Sequence, residues 1–181
     1  MVQVFWPIYI FLIVQRLVEL AIAKRHAVRA FADGGYEVGQ KHYKWMVSLH
    51  VLFFIGLLVE SLSNSLATGV WFDLWFGIFV AAQLGRYWVI GTLGRYWNTR
   101  IIIVPGMRPV LSGPFRFIRH PNYVIVVIEL IAIPLMFDAY ITALLASLLN
   151  AAVLRVRIRA ENATLAAVTP VSPASFDHSV H

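Results

Sequence analysis

His120-Pro-Asn-Tyr-Val-Ile-Val-Val-Ile-Glu-Leu-Ile-Ala-Ile-Pro-Leu-Met-Phe137 is the stretch on which the fold turns, followed by Asp138-Ala139 and a second apolar run from Tyr140 to Leu154. The apolar segments Tyr123–Phe137 and Tyr140–Leu154 are each shorter than the ~20 residues a helix needs to cross a bilayer. The short polar gap and Pro134 predict a tight helical hairpin, with one long kinked helix as the alternative. Upstream, Val4–Ile22, Met46–Ser61 and Val70–Ile90 are further apolar segments of crossing or nearly crossing length. The expected fold class is therefore an all-α integral membrane protein with about five transmembrane helices.

Composition points the same way. Of 181 residues 60% are hydrophobic and 13% charged, and the mean hydropathy is +0.74. A soluble domain of this length cannot hide so much apolar surface. The net charge of +6 would suggest nucleic acid in a soluble chain. Here the basic residues lie between apolar runs, where the anionic cytoplasmic leaflet retains them, so no nucleic-acid partner is expected. The absence of cysteine excludes disulfides, thiolate metal sites and a cysteine nucleophile, and no metal centre is expected. The first apolar run lacks a basic leader and a small-residue cleavage site, so it reads as a retained span.

Charge placement orients the spans. Lys24, Arg25, Arg29, Lys41 and Lys44 fall between the first two, and Arg95, Arg100, Arg108, Arg116 and Arg119 between the third and fourth. Arg155, Arg157 and Arg159 follow the fifth. The other two connections carry only acids, Glu60 and Asp73 in one and Asp138 in the other. The positive-inside rule then predicts an N-terminus outside and a C-terminus in the cytoplasm. One domain over residues 1–168 is expected, with a Pro/Ser-containing tail at 169–181 that reads as disordered.

Polar residues inside a membrane are costly and invite a functional reading. Gln15, Arg16 and Glu19 share a face of the first span, a spacing that suits a local Arg16–Glu19 ion pair. His50, Gln83, Arg86, Glu129 and Asn150 interrupt the others. Glu129 has no nearby cation in the sequence, so a bracing pair with Arg86 or His50 is expected. The loop before the hairpin runs Leu93-Gly-Arg-Tyr-Trp-Asn98, Ile101-Ile-Ile-Val104 and Gly113-Pro-Phe-Arg-Phe-Ile-Arg-His-Pro-Asn-Tyr123. The Ile/Val run between turn residues predicts extended chain or a short hairpin on the membrane. Trp88, Tyr96, Trp97, Phe115 and Phe117 suit an interfacial aromatic belt. Such a belt leaves unexplained Arg116, Arg119, His120 and Tyr123 at a helix mouth. Pro121 fits the first turn of that helix, whose positive end is a natural seat for a carboxylate. This cluster and Arg155-Val-Arg-Ile-Arg-Ala-Glu161 read together as one site at the water–lipid boundary.

These residues resemble the isoprenylcysteine carboxyl methyltransferase family of integral-membrane enzymes. The resemblance rests on Leu93-Gly through Trp97, on Gly113-Pro-Phe-Arg through Arg-His-Pro-Asn-Tyr123 and on Arg157-Ile-Arg-Ala-Glu161; it covers about Gln83 to Leu165 and implies a catalytic core at 83–165. The N-terminal half, with Glu37, His42-Tyr43 and His50, is similar to small bacterial members, some of them associated with methylating long-chain polyketide products. The resemblance implies S-adenosylmethionine as cofactor, with His120, Tyr123, Gly113, Phe115, Arg119 and Glu161 holding it. It implies Arg157 and Glu161 as catalytic residues, Arg157 facing an oxygen of a lipophilic acceptor drawn from the bilayer. A carboxylate acceptor needs no general base, whereas a phenol or enol needs one, for which His120 and Glu161 are candidates. The resemblance departs from the family pattern at Asn162, where a second acid is usual, and in the longer family tail missing beyond Leu165. These departures disfavour protein prenylcysteine as acceptor. A bacterial cytoplasmic membrane, with the site on the cytoplasmic side, is the expected location. Two other readings fit parts of the sequence: an NADPH-dependent sterol-type membrane reductase using the arginine-rich loop for phosphates, and a non-enzymatic membrane protein.

Overall fold

The computed structural model describes residues 2–107 and 110–168, with side chains described for all of these but 2–3, 40–42 and 160–168. The disordered-tail expectation for 169–181 and the loop charge at Arg108 lie outside the described residues.

Five α-helices account for most of the described residues. They are α1 (Val2–Ala32), α2 (Gln40–Ser63), α3 (Phe72–Leu93), α4 (Pro121–Leu135) and α5 (Tyr140–Val168). Four contain stretches long and apolar enough to cross a membrane, Val4–Ala32, Tyr43–Ser63, Phe72–Tyr96 and Tyr140–Arg159. The surface of these helices is apolar: Ile10, Leu17, Val51, Leu52, Leu144 and Leu148 are all more than half exposed, the arrangement a lipid solvent stabilises. At 15 residues, α4 spans about 22 Å, less than the ~30 Å hydrocarbon core. Its place is interior, packed against both α3 and α5, with Ile125, Leu130, Ala132 and Ile133 buried.

The hairpin is two helices rather than one kinked rod. Pro134 withholds an N–H near the end of α4, Asp138 turns the chain with φ 52°, and α5 starts at Tyr140. Glu60, at the end of α2, seats its carboxylate on the start of α5. It accepts from the Ile141 N–H at 2.9 Å and from the Thr142 N–H and Oγ1 at 2.7 Å each. This supplies acceptors to donors that have no intrahelical partner and places a negative charge at the positive end of the helix. Glu60→Ala is expected to lower stability by about 1 kcal/mol, read as a reduced thermal midpoint in detergent with secondary structure retained.

The helices outrun their apolar runs. Lys24, Arg25 and Arg29 lie on α1, Lys44 on α2, and Arg155, Arg157 and Arg159 on α5, which corrects their reading as loop and tail charges. Lys, Arg and Ala are good helix formers, and nothing interrupts α1 until the Asp33-Gly34-Gly35 turn. Gly34 there has φ 80°, and a Cβ on Gly35 would meet the Ala30 carbonyl oxygen at 2.5 Å.

Ile101–Ile103 is extended as expected, but its partner is remote. It pairs antiparallel with Tyr36–Val38, Tyr36 opposite Ile103, forming strands β1 (Tyr36–Val38) and β2 (Ile101–Ile103). The ladder ties the α1–α2 connection to the loop after α3. Of the two expectations, extended chain holds, and the short local hairpin is corrected to this remote pairing.

Two apolar clusters, one around Phe5, Leu12, Leu57, Leu130 and Phe137 and one around Ala23, Ala82, Val89, Trp97 and Ile125, accompany a buried ionic cluster. Glu129, 1% exposed, accepts from Arg16 Nη2 at 2.6 Å, Arg86 Nε at 2.8 Å and Gln83 Nε2 at 3.0 Å. Arg86 Nη2 also pairs with it. Glu19 accepts from Arg16 at 2.7 Å and Arg86 at 3.4 Å. Two arginines and two glutamates from three helices thus balance, and Gln15 extends the cluster through Gln83 at 2.6 Å. The expected Arg16–Glu19 and Glu129–Arg86 pairs are present. His50 is not part of the cluster.

Candidate functional site

The hairpin topology brings the start of α4 and the far part of α5 to the same end of the bundle, and Arg157 joins them. Its Nε donates to the Tyr123 hydroxyl at 2.8 Å, its Nη2 to the Thr99 carbonyl at 2.8 Å, and its Nη1 lies 2.8 Å from Met46 Sδ. The guanidinium also sits over the Tyr123 ring, 5.6 Å from its centroid. One side chain of α5 thereby contacts α2, α4 and the loop after α3. The two polar clusters of the sequence do meet.

A cavity of about 200 Å³ opens beside this contact. Its walls come from the 3-10 turn at Gly94–Tyr96, from β2, from the start of α4 and from Arg157. Phe115, Arg119, His120, Asn122 and Tyr123 line it. His120 is the N-cap residue of α4, and Pro121 follows as the first helical residue, as the sequence predicts. The His120 and Tyr123 rings stack with centroids 5.3 Å apart. Trp97 Nε1 and Asn122 Oδ1, both on residues of this wall, are buried polar atoms without a hydrogen-bond partner among the described residues.

Gly113 is placed differently from its neighbours. It has φ 57°, and a Cβ there would meet Thr92 Oγ1 at 2.5 Å, so its structural task is close packing of the loop on α3. Glu161 lies on α5 one turn past Arg157; its side chain, like that of Asn162, lies outside those described. The aromatic belt is only partly realised. Trp88 and Phe117 are exposed, but Trp97 is buried and Phe115 turns to the cavity wall, which corrects their reading as headgroup anchors. His26 fixes Trp97 from α1, its Nδ1–H donating to the Trp97 carbonyl at 2.8 Å.

A second cavity, an apolar groove of about 340 Å³, lies between α1 and α2, lined by Leu17, Leu20, Val47, Val51, Phe54 and Ile55 among others. A narrow passage of about 80 Å³ shares Arg16, Met46, His50 and Thr99 with that groove and Asn122, Tyr123 and Arg157 with the polar cavity. The three adjoin in series, from a lipid-facing apolar surface to a polar chamber. Such an arrangement suits a two-substrate reaction between an amphiphile and a polar donor.

Residues 75–167 match the model of the isoprenylcysteine carboxyl methyltransferase (ICMT) family. The chain belongs to this family. Membership makes it a membrane protein of a methyltransferase family, in keeping with its four long apolar helices. It is similar to the uncharacterized protein YpbQ of Bacillus subtilis, with 41% identity over 89% of this chain and 96% of that one. It also resembles an uncharacterized protein of Haemophilus influenzae, with 28% identity over 87% of this chain and 92% of that one. No solved structure matches the chain. The family match begins in α3, whereas the groove is built by α1 and α2, so Met46 and His50 of this site come from outside the matched region.

Sequence reading missed several residues of the site. Met46 looks like any apolar residue of a span, and Thr99 contributes only a carbonyl. Asn122, quoted within the motif, gains its interest from an unpartnered oxygen that no spacing announces.

Proposed function

We propose that this protein is an S-adenosylmethionine-dependent methyltransferase that moves a methyl group to an oxygen of a lipophilic acceptor taken from the bilayer. The observation that carries the reading is Arg157. It lines both the polar cavity and the passage to the apolar groove, and it is anchored on the Tyr123 hydroxyl of the motif.

The polar cavity suits such a cofactor. Phe115, Tyr96 and the Ile101–Ile103 side offer apolar and aromatic surface for a nucleobase. Arg119 and the positive end of α4 suit the carboxylate of an amino-acid moiety. Asn122 Oδ1 is an acceptor of the kind an ammonium needs, and Trp97 Nε1 is a donor. His120 and Tyr123 are assigned to hold the cofactor, with Gly113 shaping the loop and Glu161 beside the amino-acid or ribose end.

When bound, the cofactor supplies an electrophilic methyl whose leaving group departs without acid catalysis. The protein's task is then alignment. Arg157 orients the acceptor oxygen with the N–H groups it does not use on Tyr123, Thr99 and Met46. The groove holds the acceptor's tail, and Trp97 and Phe115 close the polar chamber against water. Five crossings, an N-terminus outside and the chamber on the cytoplasmic side of a bacterial membrane complete the reading, since the cofactor is cytosolic and the basic residues flank that end.

Titrating S-adenosylmethionine into the detergent-purified protein is expected to give saturable binding, weakened at least about tenfold, ~1.4 kcal/mol, by His120→Ala. Absence of binding to the wild type, or displacement by NADPH instead, overturns the proposal.

A further inference from the structure

His50 lines both the apolar groove and the passage, yet its hydrogen bond goes to Met46 and not to the ionic cluster beside it. Its Nδ1 lies 2.8 Å from the Met46 carbonyl oxygen. A carbonyl only accepts, so Nδ1 carries the proton and donates. In the neutral ring Nε2 is then a lone-pair acceptor, and among the described residues nothing hydrogen-bonds it. Met46 stands one helical turn from His50, and its sulfur touches Arg157. His50 is thus about 5–6 Å along α2 from the residue that contacts Arg157. An acceptor with its tail among Leu17, Val51 and Phe54 and its head at Arg157 passes the imidazole.

We infer that His50 is the general base of the reaction, and that the acceptor carries a hydroxyl, phenol or enol, rather than a carboxylate. The inference rests on the methyltransferase reading. A carboxylate has already lost its proton at neutral pH and gives a base no task. A lipophilic hydroxyl keeps its proton, and a base within hydrogen-bond reach accelerates its reaction. In the step, the acceptor's O–H bond breaks and its proton passes to Nε2. The oxygen's pair forms the bond to the methyl carbon as the carbon–sulfur pair returns to sulfur, and the imidazolium later yields its proton to water. The charges facing His50 are mixed: Arg16 and Arg86 oppose that transient cation and Glu129 favours it. Arg16 and Glu19 from α1, Arg86 from α3 and Glu129 from α4 sum to zero. This assignment places the base on α2, away from His120, which lies at the polar chamber.

The test uses the full-length protein in detergent without cofactor and a long-chain alkyl nitrophenol as probe, whose phenolate absorbs visible light. At a pH one unit below the probe's own pKa about a tenth of the free probe is ionised. Binding to the wild type is expected to raise that to more than about half, and binding to H50Q, or to H50N as a second substitution, to leave it near the free value. With S-adenosylmethionine present, H50Q is expected to methylate a long-chain alkylphenol at least about 100-fold more slowly, with its affinity for the cofactor within about twofold of wild type. Equal probe ionisation in the wild type and both variants, or undiminished phenol methylation by H50Q, overturns the assignment of His50. Failure of the wild type to bind S-adenosylmethionine overturns the parent reading instead, and probe ionisation distinguishes the two failures.

Discussion

Replacing Glu129 with leucine is expected to abolish recovery of monodisperse folded protein, whereas the paired change E129L with R86M is expected to restore most of it. Glu129 is 1% exposed and is the acceptor for Arg16, Arg86 and Gln83. Without it, the buried Arg86 and the partly buried Arg16 share only Glu19, which Arg86 reaches at a long 3.4 Å. Removing one partner of a buried ion pair costs about 3–5 kcal/mol because an uncompensated charge remains. The paired change removes one charge of each sign. It leaves Arg16 and Glu19, which already pair at 2.7 Å on one face of α1, and Gln83 keeps its bond to Gln15. Replacing a buried pair by apolar side chains of similar volume is often near neutral, so the double variant is expected within about 1–2 kcal/mol of wild type, the difference being the acceptors that Gln83 and Arg16 Nη2 have lost. Size-exclusion profiles and thermal unfolding in detergent read both variants. Single and double variants of equal stability would mean that the cluster is not what holds α1, α3 and α4 together.

The same cluster shows what a sequence can and cannot disclose about such a fold. Glu129 could be matched to Arg86 or His50 because buried charges need partners and few were on offer. That Arg16 also reaches Glu129 was hidden, since Glu19 three residues away already satisfied it on paper. The hairpin was legible from Asp138-Ala139 and Pro134, and the hairpin alone implies that the start of α4 and the far part of α5 share one end of the bundle. The meeting of Tyr123 and Arg157 follows from that topology. The β1–β2 ladder does not, because strands of three residues more than sixty positions apart carry no period that could register them. Trp97 misled for a physical reason: an aromatic in a basic loop looks the same whether it anchors in headgroups or, as here, turns inward and is held by His26 through its own carbonyl. The extent of the helices was underestimated because hydropathy marks where lipid ends, and backbone propensity decides where helix ends.

Arg157 carries the other large expected effect. On the methyltransferase reading, Arg157→Ala is expected to lower kcat/KM by at least about 100-fold, the scale of losing one preorganised donor set at a reacting oxygen, while S-adenosylmethionine still binds. Arg157→Lys is expected to recover little of that loss. The guanidinium carries five N–H donors in a planar fork. Three point at Tyr123, Thr99 and Met46, which leaves two with fixed directions for an acceptor oxygen. A lysine ammonium keeps the charge but has three donors on a single atom, too few and too close together to hold three elements and a substrate at once. It would either abandon the Tyr123–Thr99 bridge or leave the oxygen unaligned, and misplacement of a reacting group by about 1 Å is enough to cost on the order of 100-fold. Thermal unfolding of both variants separates loss of packing from loss of alignment, since a structural role alone would lower the midpoint without depressing turnover in the protein that remains folded. A lysine variant that turns over like the wild type would show that positive charge at this position suffices, and that the fork's geometry is not what presents the acceptor to the methyl group.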